Sequence, residues 1–96
     1  SKVVQLQNNT GNFKFRMGTA TVNCPPGEPG ATYISYSGFT QPPKVFATVV
    51  STWEEFLTLT VDPNNTTTQA RIRVFNRNTA SGGDWNGPVN WIAVGL

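Results

Sequence analysis

The sequence predicts an all-β protein, an antiparallel β-sandwich of six or seven strands, and three observations carry that expectation. Apolar and polar residues alternate at a period of two in several short runs, such as Phe13-Lys14-Phe15-Arg16-Met17. Clusters of Pro, Gly, Asn and Asp separate those runs at short intervals. No run carries the 3.6-residue spacing of an amphipathic helix, and many short strands divided by turn signals are the signature of a sandwich.

Taken in order, Lys2 to Gln7 alternates weakly, and Asn8-Asn9-Thr10-Gly11-Asn12 has the chemistry of a turn. Phe13, Phe15 and Met17 should share one face of the next strand, and Gly18 to Val22 continues it. Cys24-Pro25-Pro26-Gly27-Glu28-Pro29-Gly30 reads as a long, stiffened loop, because proline fixes φ and removes donors. Tyr33 to Ser37 starts another strand. After Pro42-Pro43, Val45 to Val50 is a near-continuous apolar run suited to a buried strand. Trp53-Glu54-Glu55 turns the chain, and Phe56 to Val61 alternates again. Asp62-Pro63-Asn64-Asn65 is a turn.

In Ala70 to Phe75, the residues Ala70, Ile72 and Val74 should point inward while Arg71, Arg73 and Phe75 face out. Ser81-Gly82-Gly83-Asp84 is a flexible hairpin tip. Asn90 to Val94 closes the fold and drives Trp91 into the core. Trp85, beside Gly87-Pro88, is expected to clasp a hairpin, and Trp53 is balanced between packing and a site.

At 96 residues the chain reads as one domain, 1–96, with residues 1–17 as an amino-terminal extension strand. A body this small buries a modest share of its unfolded surface, so association with partner subunits is expected. Hydrophobic residues make up 38% and charged ones 12%, so the polar content comes from Thr, Asn, Ser and Gly, which suit pleats and bends.

The same composition excludes several functions. Histidine is absent, which removes the usual general base and the commonest metal ligand. Cys24 stands alone, with no Cys/His cluster for zinc and no His to activate a thiol; it reads as a packed-away side chain or, alternatively, as half of an intermolecular disulfide. No cofactor or metal is expected. The five acids, Glu28, Glu54, Glu55, Asp62 and Asp84, form no evident catalytic pair, so the expectation is a protein that is not an enzyme. A net charge of +2 with scattered cations argues against nucleic acid. No stretch approaches the ~20 apolar residues of a membrane span, so membrane insertion is not expected. Triplets starting at Asn8, Asn64 and Asn65 fit the N-glycosylation pattern and point to a secreted, extracellular protein.

The ordered set of Phe39, Pro42, Pro43 and Val45, then Arg71 to Phe75, then Trp91-Ile92-Ala93 resembles the H-type lectin family, the agglutinins of snails and corals and the carboxyl-terminal domains of slime-mould discoidins. The likeness covers roughly Gly18 to Leu96. It implies a six-stranded sandwich that assembles as a homotrimer or hexamer. It also implies a site between neighbouring subunits for galactose- or N-acetylgalactosamine-bearing glycans.

Carried over by residue, the resemblance assigns sugar contacts to Phe75, Asn76 and Arg77 at the end of the strand before the last hairpin, and to Gly27 and Glu28 in the early loop. The family's arginine on the strand after the Pro-Pro strand has no counterpart in Phe56 to Val61, so either Arg71 or Arg73 takes its place or the specificity differs from the family's. The second cysteine that some relatives pair with the Cys24 position is missing.

Independently of the family, a pyranose needs a planar multi-donor such as Arg, a carboxylate or carbonyl acceptor, an Asn that does both, and an aromatic face for its C–H patch. The residues present supply all four. The expected function is therefore a non-catalytic lectin acting as a multivalent, agglutinating oligomer, and the alternative is a structural or adhesive module, such as a fibre-tip domain, without sugar binding.

Overall fold

The computed structural model describes residues 13–96. Within them the chain forms six strands and no helix: β1 Lys14–Cys24, β2 Pro29–Ser35, β3 Lys44–Val49, β4 Leu57–Val61, β5 Gln69–Asn76 and β6 Trp85–Gly95. They pair into two three-stranded antiparallel sheets, ordered β1-β6-β3 and β2-β5-β4. The turn at Asn8 to Asn12, the alternation of Lys2 to Gln7 and the Asn8 triplet lie outside the described residues. Residues 14–17, grouped above with an extension strand, are the opening of β1, in register with β6 from Gly95 to Ile92.

The two sheets bury their facing sides against each other. Val22 and Cys24 from β1, Ile34 from β2, Ala70, Ile72 and Val74 from β5, and Trp85, Val89 and Ala93 from β6 form the core. The period of two that sets this pattern is cleanest in β5, where Ala70, Ile72 and Val74 are buried as expected.

Three expectations are corrected. The stiffened loop ends earlier, because Pro29 and Gly30 begin β2. Pro29 opens an edge strand, a position that tolerates a missing donor. Gly30 is forced by its neighbour β1, since a Cβ there would collide with the Asn23 backbone oxygen and lie 2.8 Å from Cys24 Sγ.

The run Val45 to Val50 is not a buried strand. Alternate residues of β3 turn inward as in any strand, and because the outer face of its sheet is uncovered among the described residues, Phe46 is 60% exposed.

Trp85 is no hairpin clasp but the first core residue of an eleven-residue β6, whose early half is hidden by Gly87 and Pro88. Pro88 is tolerated inside this central strand for a definite reason. Its carbonyl accepts from Val50 N–H at 3.1 Å. Its nitrogen therefore points to the same side, toward Val50 just past the end of β3, so the missing donor forgoes only the reciprocal bond at the end of that ladder and leaves the pairing with β1 intact.

Trp91 is half-buried, packed against Tyr36 at 6.2 Å between ring centroids and laid across Gly18 of β1. Tyr36 anchors the same end: its hydroxyl lies 2.8 Å from both the Thr66 and the Gln69 carbonyl oxygens and accepts from Asn65 Nδ2. Cys24 is a fully buried free thiol whose Sγ lies 3.4 Å from the Val74 carbonyl oxygen, so the packed-away reading holds. Burial pushes its pKa up, with a smaller opposing effect from a hydrogen bond to the Gly30 backbone.

Candidate functional site

The outer face of the β2-β5-β4 sheet carries three of the seven residues assigned from sequence, Arg71, Arg73 and Phe75. Antiparallel pairing sets them out in rows across three strands: Pro29–Phe75–Thr58, then Ala31–Arg73–Thr60, then Tyr33–Arg71 with Asp62 just past the end of β4. Asp62 extends the ladder by one bond, its N–H donating to the Arg71 carbonyl at 2.9 Å. Arg71 and Phe75 thus share a face but stand four residues apart, about 13 Å at the strand rise. No single sugar ring touches both, and the assigned residues divide between two ends of the sheet.

At the Phe75 end the residues serve different purposes. Phe75 is 42% exposed, and Glu28 is exposed. Gly27 adopts φ 69°, the left-handed region, and donates from its N–H to the Asn78 carbonyl at 2.9 Å. Arg77 donates from Nη2 to the Glu55 carbonyl oxygen, pinning the turn before β4.

Asn76 is a correction to the sequence assignment. It is fully buried, and its Nδ2 donates to the Gly83 carbonyl at 2.8 Å, with the Cys24 and Pro25 carbonyls each 3.4 Å away. Its Oδ1 accepts from Asn78 N–H at 3.0 Å. Every polar atom of that side chain is committed to backbone, so it holds loops together and offers nothing to a ligand.

The Arg71 end is a pocket of about 230 Å³ lined by Tyr33, Asp62, Asn64, Thr66, Gln69 and Arg71. The Arg71 guanidinium carbon sits 5.9 Å from the Tyr33 ring centroid, within cation–π range. Arg71 Nε is shielded from solvent and has no hydrogen-bond partner among the described residues. An orphaned guanidinium donor inside a protein costs free energy, and such exceptions call for an explanation.

The pocket rim is rigid because its loop bonds itself. Asp62 Oδ1 accepts from Asn64 N–H at 2.9 Å, and Thr66 Oγ1 accepts from Gln69 N–H at 3.1 Å and Thr68 N–H at 3.2 Å. Thr66 N–H in turn donates to the Gln69 carbonyl at 2.8 Å. Such local bonds are the reason Asp, Asn and Thr favour turns.

Asn65 faces the other way. Its Nδ2, the atom a glycan would modify, donates to the Pro43 carbonyl at 2.7 Å and ties this loop to the opposite sheet, whereas the Asn64 side chain is exposed.

Sequence reasoning placed Arg71 and the Asp62 turn but missed Tyr33, Asn64, Thr66 and Gln69 as neighbours. The missed signal is the β2–β5 register, which sets Tyr33 beside Arg71. Trp53, left open above, is half-buried and packs edge-on against Phe56 at 5.8 Å between centroids. Among the described residues no three His, Cys, Asp or Glu side chains gather, and no helix is long and apolar enough to cross a membrane. The architecture is an all-β sandwich with a polar pocket on one outer face. Compared with known proteins, the sequence matches no family model and no curated protein.

Proposed function

We propose that this protein is a non-catalytic, extracellular carbohydrate-binding module of the lectin kind, with the Arg71 pocket as its sugar site. One observation carries the reading: a single pocket gathers Arg71, whose Nε has no hydrogen-bond partner among the described residues, with the exposed Tyr33 ring and with Asp62, Asn64 and Gln69. Arg donates in a plane, Asp accepts, Asn64 and Gln69 do both, and Tyr33 offers an aromatic surface to C–H groups. A neutral pyranose uses all of these, whereas an anion would meet the Asp62 charge. The resemblance to H-type lectins adds galactose and N-acetylgalactosamine as the sugars to test first. A shallow polar site of this kind binds weakly, so useful avidity comes from several sites on one oligomer.

The test is a glycan array followed by NMR titration with galactose and N-acetylgalactosamine. Shifts at Tyr33, Asp62 and Arg71 that disappear in Arg71→Ala, with the fold retained, support the reading. Shifts confined to the Phe75 end, or none at all, overturn it.

A structural or adhesive module without sugar binding is the second reading, and the apolar outer face of the β1-β6-β3 sheet favours it. A blank array from an assembled protein would select it.

A further inference from the structure

The outer face of the β1-β6-β3 sheet divides sharply into two halves. Toward its Cys24 end it presents Thr19, Thr21 and Asn23 from β1 beside Asn90, Pro88 and Asn86 from β6. Toward its Lys14 end the rows are apolar but for one lysine: Phe15–Val94–Lys44, then Met17–Ile92–Phe46. Phe15 is 59% exposed, Met17 72% and Phe46 60%. Strand alternation accounts for their pointing away from the core but not for their being apolar.

The sequence runs Lys14-Phe15-Arg16-Met17, and the two cations take the opposite side. Arg16 is turned under the sheet edge, donating from Nε to the Ser37 carbonyl at 3.1 Å beneath the Phe39 ring. The ordinary arrangement, cations out and apolar residues in, is reversed at this end of β1.

We infer that this face is where copies of this chain meet. Three features select a second copy rather than an unrelated partner. The first is charge. Among the outward residues of the three strands only Lys44 is ionised, so the face can be laid against itself with almost no like-charge penalty.

The second is shape. Met17 and Phe46 stand as ridges on either side of the half-buried Ile92, and the hollow between them measures about 290 Å³. A ridge and a hollow on one patch are self-complementary, as a two-fold contact requires, because each copy offers both halves of the fit. Met17 is unbranched and adapts its shape to such a hollow.

The third is area. At about 200 Å² per large side chain, the exposed fractions of Phe15, Met17 and Phe46 amount to roughly 400 Å² of apolar surface, the size of a monomer's largest patch, which is often functional. That is about half of the ~800 Å² each partner contributes to a standard interface, and Val94, Ile92, Thr48, Thr19 and Asn90 surround it to supply the rest.

The interface deepens the lectin reading, and rests on it for its purpose. The apolar rows and the Arg71 pocket lie at the same end of the sandwich, where Asn65 bonds to Pro43 across the sheets, but on opposite outer faces. Copies joined through Met17 and Phe46 would hold their pockets outward, each completed within one chain, which is the arrangement that links two surfaces.

Light scattering over a wide concentration range tests the inference. The mass is expected to exceed the 10.5 kDa of one chain and to return to it in Met17→Lys/Phe46→Lys, with near-UV circular dichroism unchanged. Thr58→Lys on the other sheet should stay assembled. A wild-type monomer at every concentration, or a double variant that remains assembled, overturns the proposal.

A second measurement needs no variant. Met17 is the chain's sole methionine, so the rate of its oxidation by peroxide should fall several-fold as concentration rises. A rate independent of concentration in an assembled sample overturns the interface even if the lysine variants fail to fold.

Sugar titration separates the two readings. A folded double variant is expected to keep single-site binding and lose agglutination, whereas absence of sugar binding by the assembled wild type defeats the lectin reading and leaves the interface standing.

Discussion

Asn76 Nδ2 donates to the Gly83 carbonyl at 2.8 Å, fastening the end of β5 to the turn that launches β6. The same amide faces the Cys24 and Pro25 carbonyls, so one buried side chain ties the β5–β6 connection to the end of β1, some fifty residues earlier. Asn76→Ala would leave those acceptors without a donor inside the protein. The expected loss is roughly 2 to 4 kcal/mol of stability, read by urea unfolding. Unchanged stability would show that solvent or loop movement satisfies those carbonyls.

Arg71→Lys is expected to weaken sugar binding about tenfold or more while the domain stays folded. Lysine keeps the charge but not the planar fork, and the lost multi-donor contact corresponds to ~1.4 kcal/mol or above. Titration calorimetry of Arg71→Lys beside Arg73→Ala makes the comparison. Arg73 shares the face without lining the pocket, so its loss should be smaller. The reverse order would move the site toward Phe75.

Gly18→Ala should destabilise the protein by about 1 to 3 kcal/mol, because the added Cβ would lie 2.8 Å from Trp91 Cζ2 and displace the ring. Removing that ring altogether in Trp91→Ala should cost more, about 3 to 5 kcal/mol, since the core residues behind it lose their cover. Thermal melts of the two variants test the order.

The buried thiol gives a pH dependence with a definite sign. Burial raises the Cys24 pKa in the folded state above that of the unfolded chain. The folded state therefore holds its proton longer, and the resulting stability is fully present below about pH 8.5, the unfolded thiol value, and is lost as pH climbs toward the folded value. Unfolding free energy followed through the alkaline range should fall more steeply for the wild type than for Cys24→Ala. Equal slopes would contradict the burial. In the wild type a thiol reagent should label Cys24 in urea and not in buffer.

Much of the fold was legible because it rests on a local rule. Alternation alone sorts Ala70, Ile72 and Val74 from Arg71, Arg73 and Phe75, and the structure keeps that sorting. Where the rule misled, a neighbour was responsible. Phe46 looked buried within an apolar run, but it points to the outer face of its sheet, which no other layer covers among the described residues. Trp85 looked like part of a hairpin tip, because Gly87 and Pro88 disguised a strand whose missing donor falls beyond the end of β3.

The site was half legible for the same reason. Arg71 announces itself as a cation on an outward strand position, and Asp62-Pro63-Asn64 announces a turn, from composition and spacing. That Tyr33 stands beside Arg71, and that Asn76 turns its amide toward the Cys24 and Pro25 carbonyls, follows from pairings between residues far apart along the chain.

By itself, then, the sequence determined an all-β chain, the side of each residue from Ala70 to Phe75 and the absence of histidine chemistry, since period, turn residues and composition act locally. Tertiary structure alone decided which strands became edges, which polar residues were spent on backbone and which outward residues gathered into a pocket or an apolar face. Register and sheet order are set by the summed burial of both sheets, a quantity that no single segment carries.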